Sequence, residues 1–436
     1  MNGEAKLMED RAWSLSQKLL LALVSLAVLL DGFDNQALGF ALPSLMKDWG
    51  VPKSALGGAL AAAQFGMLIG AISGGMVGDR MGRKLALVSS VVLFGVATLM
   101  IGFAGSPAQL GALRFIAGLG LGAAFPNVAA LATEFTPARH RSLAVIISIV
   151  CVPLGGVVGG MAASVVLPLM GWQALFVLAG GCTLALAAVL ALVLPESVTF
   201  LLCSGASEAR ISSSLRRMGL GEGAMTGMPS IEPAKEASLP LSAVLAPAWR
   251  KDTLLVWMSF FFSLMAVYSA FNWLPTLLSE SGLSVAQAAQ GLAAFNMGGV
   301  VAALMGGAAI GRYGSRRVML TMSLTAVLAA AVLAILSRSG MSLAGMFMLI
   351  AIEGGCVNGV QTSLYALASN IYPAAMRARG VGLATGIGRL GAMLSALLGA
   401  VMAGALGLTG FHWAIAGVMV LVMGTLSLIA RHVAPR

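Results

Sequence analysis

The sequence predicts an all-α integral membrane protein with twelve transmembrane helices in two pseudo-symmetric six-helix bundles. Three observations carry that prediction. Of 436 residues, 59% are hydrophobic and 10% charged, and mean hydropathy is +0.94, whereas soluble proteins carry about 25% charge. The chain also divides into twelve apolar runs, each near the roughly 20 residues a helix needs to cross hydrocarbon. Two basic loops, finally, recur in the second half.

In chain order the runs cover about 18–46, 55–77, 85–104, 108–136, 142–167 and 173–194, then 252–278, 285–310, 317–337, 341–371, 378–406 and 410–430. The first bundle is thus 18–194 and the second 251–430, with short polar ends at 1–17 and 431–436. Between the bundles, 195–250 is rich in Ser, Gly, Pro and mixed charge and reads as a linker. Gly78-Asp79-Arg80-Met81-Gly82-Arg83-Lys84 follows run two, and Ile310-Gly311-Arg312-Tyr313-Gly314-Ser315-Arg316 follows run eight. Pro137–Arg141 and Pro373–Arg377 repeat after runs four and ten. Parallel six-span repeats are a transporter architecture, with the site near the midplane between them.

A net charge of +10 would suggest nucleic acid in a soluble chain. Here the charge is sorted by side. Lys47, Lys53 and Arg338 fall beyond one face, Arg114 and Arg389 fall within runs, and the rest of the 26 basic residues fall on the other face. Cytoplasmic loops carry such an excess, so both termini are expected in the cytoplasm and the protein in the cell inner membrane. Run one lacks a cleavage motif and carries two aspartates, unlike a removable signal peptide. The four cysteines have no paired spacing, and no zinc motif, serine elbow or P-loop occurs. Neither enzyme chemistry, a cofactor nor a metal is expected.

A charge at the bilayer centre costs about 2.5–3.5 kcal/mol on insertion scales, so each one needs a reason. Asp31 and Asp34 lie about 20 and 24 Å from Lys18 along run one, on one face. Two carboxylates so close in a low dielectric resist carrying two charges, which suits a proton carrier. A salt bridge to a neighbouring helix is the structural alternative. Arg389 lies about 18 Å from Arg377, too deep to snorkel, and is the expected carboxylate clamp. Arg114 binds an anion, meets the aspartates or snorkels outward. Gly118, Gly120 and Gly122 beside it suit close helix approach.

Further candidates are weaker. Tyr268 and Asn272 sit where a ring could be held, beside Trp273, which an interfacial belt explains as well. Gln64, Asn296, Gln361 and Tyr365 are polar groups inside runs, Gln361 being the one assigned to substrate. Glu353 either pairs with a base or acts as a further functional acid, and Glu134 has no assigned role. His140, His412 and His432 fall at or beyond run ends and are assigned no chemistry.

Gly75-x-x-Gly78-Asp79-Arg80-x-Gly82-Arg83-Lys84 resembles the loop 2–3 signature of the major facilitator superfamily. Locally, its glycines permit a tight turn and Asp79 suits a helix N-terminus. Asp31-Gly32-Phe33-Asp34, Asn272-Trp273-Leu274-Pro275 and Gly388-Arg389-Leu390-Gly391 resemble the aromatic acid:proton symporter family, closest to its hydroxyphenylpropionate branch. The resemblance implies uptake of an aromatic carboxylate with protons by rocking of the halves. It also implies that Asp31 and Asp34 matter for transport, and that Gly78, Asp79, Arg80, Gly82 and Arg83 gate the conformational change. Departures are Gly311 in place of an acid, Arg379 in place of a small polar residue and Glu353 in place of a small one. A proton-driven antiporter exporting drugs or aromatics would share the fold. Its span-five glycine-proline motif is lacking in Val152-Pro153-Leu154-Gly155-Gly156.

Overall fold

Helix α1 (Leu15–Trp49) is held at its start by a reciprocal capping box between Ser14 and Gln17, which satisfies two otherwise orphaned backbone N–H groups. A computed structural model describes residues 13–220, 244–337 and 341–435. Most of the N-terminal segment, the linker stretch 221–243 and Arg338 lie outside the described residues.

The first half continues with α2 (Lys53–Met81), α3 (Arg83–Ile101), α4 (Pro107–Glu134) and α5 (Arg141–Val193). Two short helices follow, α6 (Val198–Cys203) and α7 (Glu208–Arg217). The second half holds α8 (Arg250–Glu280), α9 (Val285–Tyr313), α10 (Ser315–Leu336), α11 (Leu343–Ile371) and α12 (Ala374–Leu428). Among the described residues eleven segments are long and apolar enough to cross a membrane. One of them, Leu143–Val193, has 51 residues, about 77 Å of helix, and it turns at Gly171 (φ 81°, ψ 174°). It therefore crosses twice. The turn in α12 at Gly407 (φ 59°, ψ −162°) is its counterpart, and the crossings among the described residues number twelve.

The duplication is visible in the corners. α2 passes into α3 through Gly82 alone (φ 104°, ψ 145°), and α9 into α10 through Gly314 alone (φ 80°, ψ 153°). Positive φ at a one-residue corner is strained for any side chain with a Cβ, so glycine is required at both. Within the first half, a Cβ on Gly118 or Gly122 would run into the α2 backbone at Ala63 and Met67. The expected close approach is therefore made.

Part of the expected linker is folded. Val198 and Leu201 of α6, with Ile211 and Leu215 of α7, are buried in the apolar core of the first half, and Ser14 Oγ donates to Met218 O (3.1 Å). Four apolar positions at helical spacing sit within a stretch whose average is polar, so composition alone hides them. The halves meet along α1–α8, α5–α9 and α2–α12. At their rim away from the termini, Lys53 pairs with Glu280 (2.6 Å). Two residues beyond Asp34 along α1, Gln36 and Asn296 exchange two amide hydrogen bonds (3.3 and 2.7 Å), both side chains fully buried.

Candidate functional site

Four side chains from four helices close a ring where the halves meet. Arg389 of α12 donates from Nη1 to Tyr268 Oη of α8 (2.7 Å) and to Gln64 Oε1 of α2 (3.2 Å). Gln64 Nε2 donates to Asn35 Oδ1 of α1 (3.4 Å), and Asn35 Nδ2 donates to Tyr268 Oη (2.9 Å). Met67 Sδ lies 3.5 Å from the same Nη1, and the guanidinium sits 5.7 Å from the Tyr268 ring centroid, within cation–π range. Among the described residues, hydrogen bonds reach only Nη1 of Arg389. The residue is partly exposed, and its Nε–Nη2 edge makes no hydrogen bond among the described residues.

Around this ring stand Phe271, edge-on to Tyr268 (5.5 Å), and Tyr365, edge-on to Phe260 (5.2 Å). Asn272 Nδ2 and both amide atoms of Gln361 are buried without a hydrogen-bond partner among the described residues. A buried amide left unpaired costs roughly 1–3 kcal/mol; for Gln361 the neighbouring Tyr365 hydroxyl interacts with the amide. Trp273 is different. It is fully buried and its Nε1 donates to Ser395 O (3.2 Å), so the interfacial-belt reading fails and the indole ties α8 to α12.

The two aspartates part company. Asp34 turns into the first half, where Arg114 Nη1 reaches both its carboxylate (3.3 Å) and its backbone oxygen (3.1 Å), and Thr98 Oγ1 donates to Oδ1. Both side chains of this ion pair are almost wholly buried. Arg114 therefore neither snorkels nor faces the seam. Asp31 lies at the seam, interacting electrostatically with Arg389, and its Oδ1 is buried without a partner. A three-residue helical offset turns side chains by about 60°, enough to give each carboxylate its own neighbourhood.

Glu353 and His412 form a second buried pair, Nδ1 to Oε1 3.1 Å, each 1% exposed. His412 had seemed to lie at a span end. The chain turns at Gly407 without a loop, so five residues further on His412 is already inside the bundle. Glu353 faces this histidine and not the ring.

The gating candidates cluster at the Gly82 corner. Asp79 occupies the last turn of α2, not the first turn of α3 as expected, because a single residue separates the helices. It pairs with Arg83 across the corner, and Arg83 Nη1 also reaches Asn127 Oδ1 (3.5 Å). Gly78 is packed so closely that a Cβ would strike Asn127, and a Cβ on Gly82 would strike the Glu196 carboxylate. Arg80 is exposed in the last turn of α2, where a cation complements the helix dipole. Glu196 accepts from Lys84 N (2.9 Å), and Glu134 accepts from Ser197 Oγ (2.8 Å). Glu134 thus anchors the segment that braces the corner. In the second half, a Cβ on Gly311 would meet open space. There the tail does the bracing: Ser315 N donates to Val433 O (3.0 Å) and Val433 N to Ser315 Oγ (2.8 Å).

Sequence comparison decides the family. Residues 24–349 and 256–436 match the Major Facilitator Superfamily. The chain belongs to that superfamily. It is a multi-pass membrane transporter, not an enzyme. It is 36% identical over 403 residues to the gallate transporter of Pseudomonas putida, covering 92% of this chain and 89% of that one. It is 37% identical over 381 residues to the 4-hydroxybenzoate transporter PcaK of Pseudomonas aeruginosa, covering 87% and 84%. The 3-(3-hydroxy-phenyl)propionate transporter of Escherichia coli is 35% identical over 422 residues, covering 95% and 94%. Within the superfamily the chain belongs to the family that holds these relatives, and the identities do not single out the hydroxyphenylpropionate branch. Among solved facilitator structures, the xylose transporter XylE from E. coli, partially occluded and inward open, aligns with a TM-score of 0.79. It covers 96% of this chain and 99% of that one at 16% identity, a likeness of fold.

Proposed function

We propose that this protein imports an aromatic carboxylic acid together with protons by alternating access. The single observation carrying the proposal is the state of Arg389: Nη1 is pinned by Tyr268 and Gln64 while the Nε–Nη2 edge stays open at the seam. Two parallel donors on a rigid fork match a carboxylate. The aromatic lining of Tyr268, Phe271 and Tyr365 suits a ring, and Asn272 and Gln361 are buried donors and acceptors for its substituents. Gallate, 4-hydroxybenzoate and 3-(3-hydroxy-phenyl)propionate, the substrates in the relatives' names, are all aromatic carboxylates. The pairing of Arg114 with Asp34 supports giving the substrate role to Arg389 and a supporting role to Arg114.

In this reading Asp31 is the proton carrier at the seam. It faces the same cation as the substrate, so a proton on Asp31 and an anion on Arg389 favour each other by simple electrostatics. Asp34 with Arg114 holds the helix that bears it. The positive-inside pattern supports a reading with both termini in the cytoplasm of an inner membrane.

The test is proteoliposome uptake of labelled aromatic acids with and without an inward proton gradient, combined with binding of each acid and its amide. Wild type should accumulate an acid only with the gradient and prefer acid to amide. Arg389→Ala should lose that preference, and Arg389→Lys should restore it in part. Export driven by the same gradient, or an unchanged preference in Arg389→Ala, would refute the proposal.

A further inference from the structure

The directions of the hydrogen bonds in the ring follow from chemistry alone. A guanidinium only donates. Gln64 must therefore turn Oε1 toward Arg389, which sends its amide nitrogen to Asn35 Oδ1. Asn35, its oxygen engaged, offers Nδ2 to Tyr268 Oη. That phenol oxygen also receives Arg389 Nη1. Both acceptor positions of Tyr268 are now filled, and its hydroxyl hydrogen, like the Nε–Nη2 edge of Arg389, has no acceptor among the described residues.

We infer that Asn35 and Gln64 are positioning residues: Gln64 orients Asn35, and Asn35 together with Arg389 fills the acceptor sites of Tyr268, which turns its O–H outward as a third donor to the carboxylate held on Arg389. The inference rests on the reading of Arg389 as the carboxylate clamp. It assigns Tyr268 a hydrogen-bonding role in addition to its ring face. A carboxylate brings acceptors only and satisfies the guanidinium edge and the phenol together. A carboxamide brings an N–H that meets a donor whichever way it turns. The ring draws on both halves, Asn35 and Gln64 from one, Tyr268 and Arg389 from the other. The third donor is therefore aimed only while the halves touch at this depth, and substrate discrimination belongs to that state of the transport cycle.

The experiment is calorimetric binding of 4-hydroxybenzoate and 4-hydroxybenzamide to the purified full-length protein. Tyr268→Phe should weaken carboxylate binding roughly 10- to 150-fold, the range for a hydrogen bond to a charged group, and leave the amide unchanged. Asn35→Leu should weaken carboxylate binding in the wild-type background and add little in the Tyr268→Phe background, because it acts through that hydroxyl. 3-Fluorotyrosine at position 268 keeps the shape, donates more strongly and should tighten carboxylate binding. Wild-type carboxylate affinity in Tyr268→Phe, fully additive losses in the double variant, or no tightening with 3-fluorotyrosine would each overturn the inference. If Arg389→Ala alone loses acid preference while Tyr268→Phe keeps it, the clamp stands and the third donor falls. If Arg389→Ala keeps it, the clamp falls and takes the inference with it.

Discussion

Arg114 closes on Asp34 inside the first half, 3.3 Å from the carboxylate and 3.1 Å from the backbone oxygen of the same residue. One cation thereby fixes both the side chain and the main chain of α1, three residues beyond Asp31. Breaking a buried pair from one side leaves a lone charge, at about 3–5 kcal/mol, whereas neutralising both sides is often far cheaper. Asp34→Asn and Arg114→Met should each lower thermal stability sharply, and the double variant should recover most of the loss. Melting curves in detergent check this; a double variant as unstable as the singles added together would argue against it.

Asp31 Oδ1 has no such partner among the described residues. Asp31→Asn keeps the shape and removes the titratable proton, so gradient-driven accumulation should disappear while exchange of labelled for unlabelled substrate persists. Counterflow in proteoliposomes separates the two. Normal accumulation by Asp31→Asn would remove it from proton coupling.

At the Gly82 corner, a Cβ meets both an unfavourable φ and the Glu196 carboxylate. Gly82→Ala should slow turnover by roughly 5- to 150-fold with substrate affinity within about threefold of wild type, since strain of about 1–3 kcal/mol falls on the hinge and not on the site. Asp79→Asn should act in the same direction. Stopped-flow transport and equilibrium binding provide the two numbers; equal loss of both would indicate misfolding.

His432 lies beyond the last helix, its Nδ1 3.1 Å from Ser315 Oγ and its Nε2 3.1 Å from Leu426 O. Burial pushes its imidazole below the ordinary histidine value, with Arg316 acting the same way and the Leu426 carbonyl and Asp252 opposing. The unfolded tail then binds a proton more readily than the docked one. Its contribution to docking is present above the ordinary value and is lost as pH falls through the lowered one. Hydrogen-exchange protection at Ala430 and Val433 should fall as pH drops below the ordinary histidine value and should lose this pH dependence in His432→Gln.

Much of this was readable in the chain. Charges at hydrocarbon depth stand out against their surroundings, so Asp31, Asp34, Arg114 and Arg389 declare themselves. Which arginine serves which aspartate does not, because partners on different helices depend on helix rotation. Asn35 and Gln64 were hidden for another reason: amides inside spans commonly bond to neighbouring helices, and nothing local separates a positioning amide from a structural one. His412 was misjudged because a loopless corner shifts the depth of everything after it. The folded start of the linker was masked by the serines and arginines around four apolar residues.

The Lys53–Glu280 contact has a consequence for how the transporter responds to its surroundings. Its side chains are 13% and 44% exposed, and an exposed pair contributes at most about 1 kcal/mol. Because this one joins the two halves at the rim, that energy is a difference between rim-closed and rim-open populations, about a fivefold ratio. Counter-ions screen such contacts within about 10 Å at 0.1 M salt and about 3 Å at 1 M. Ionic strength at that rim is therefore a conformational variable for this protein, and it acts mainly near molar salt, where the screening length falls to that of the contact itself.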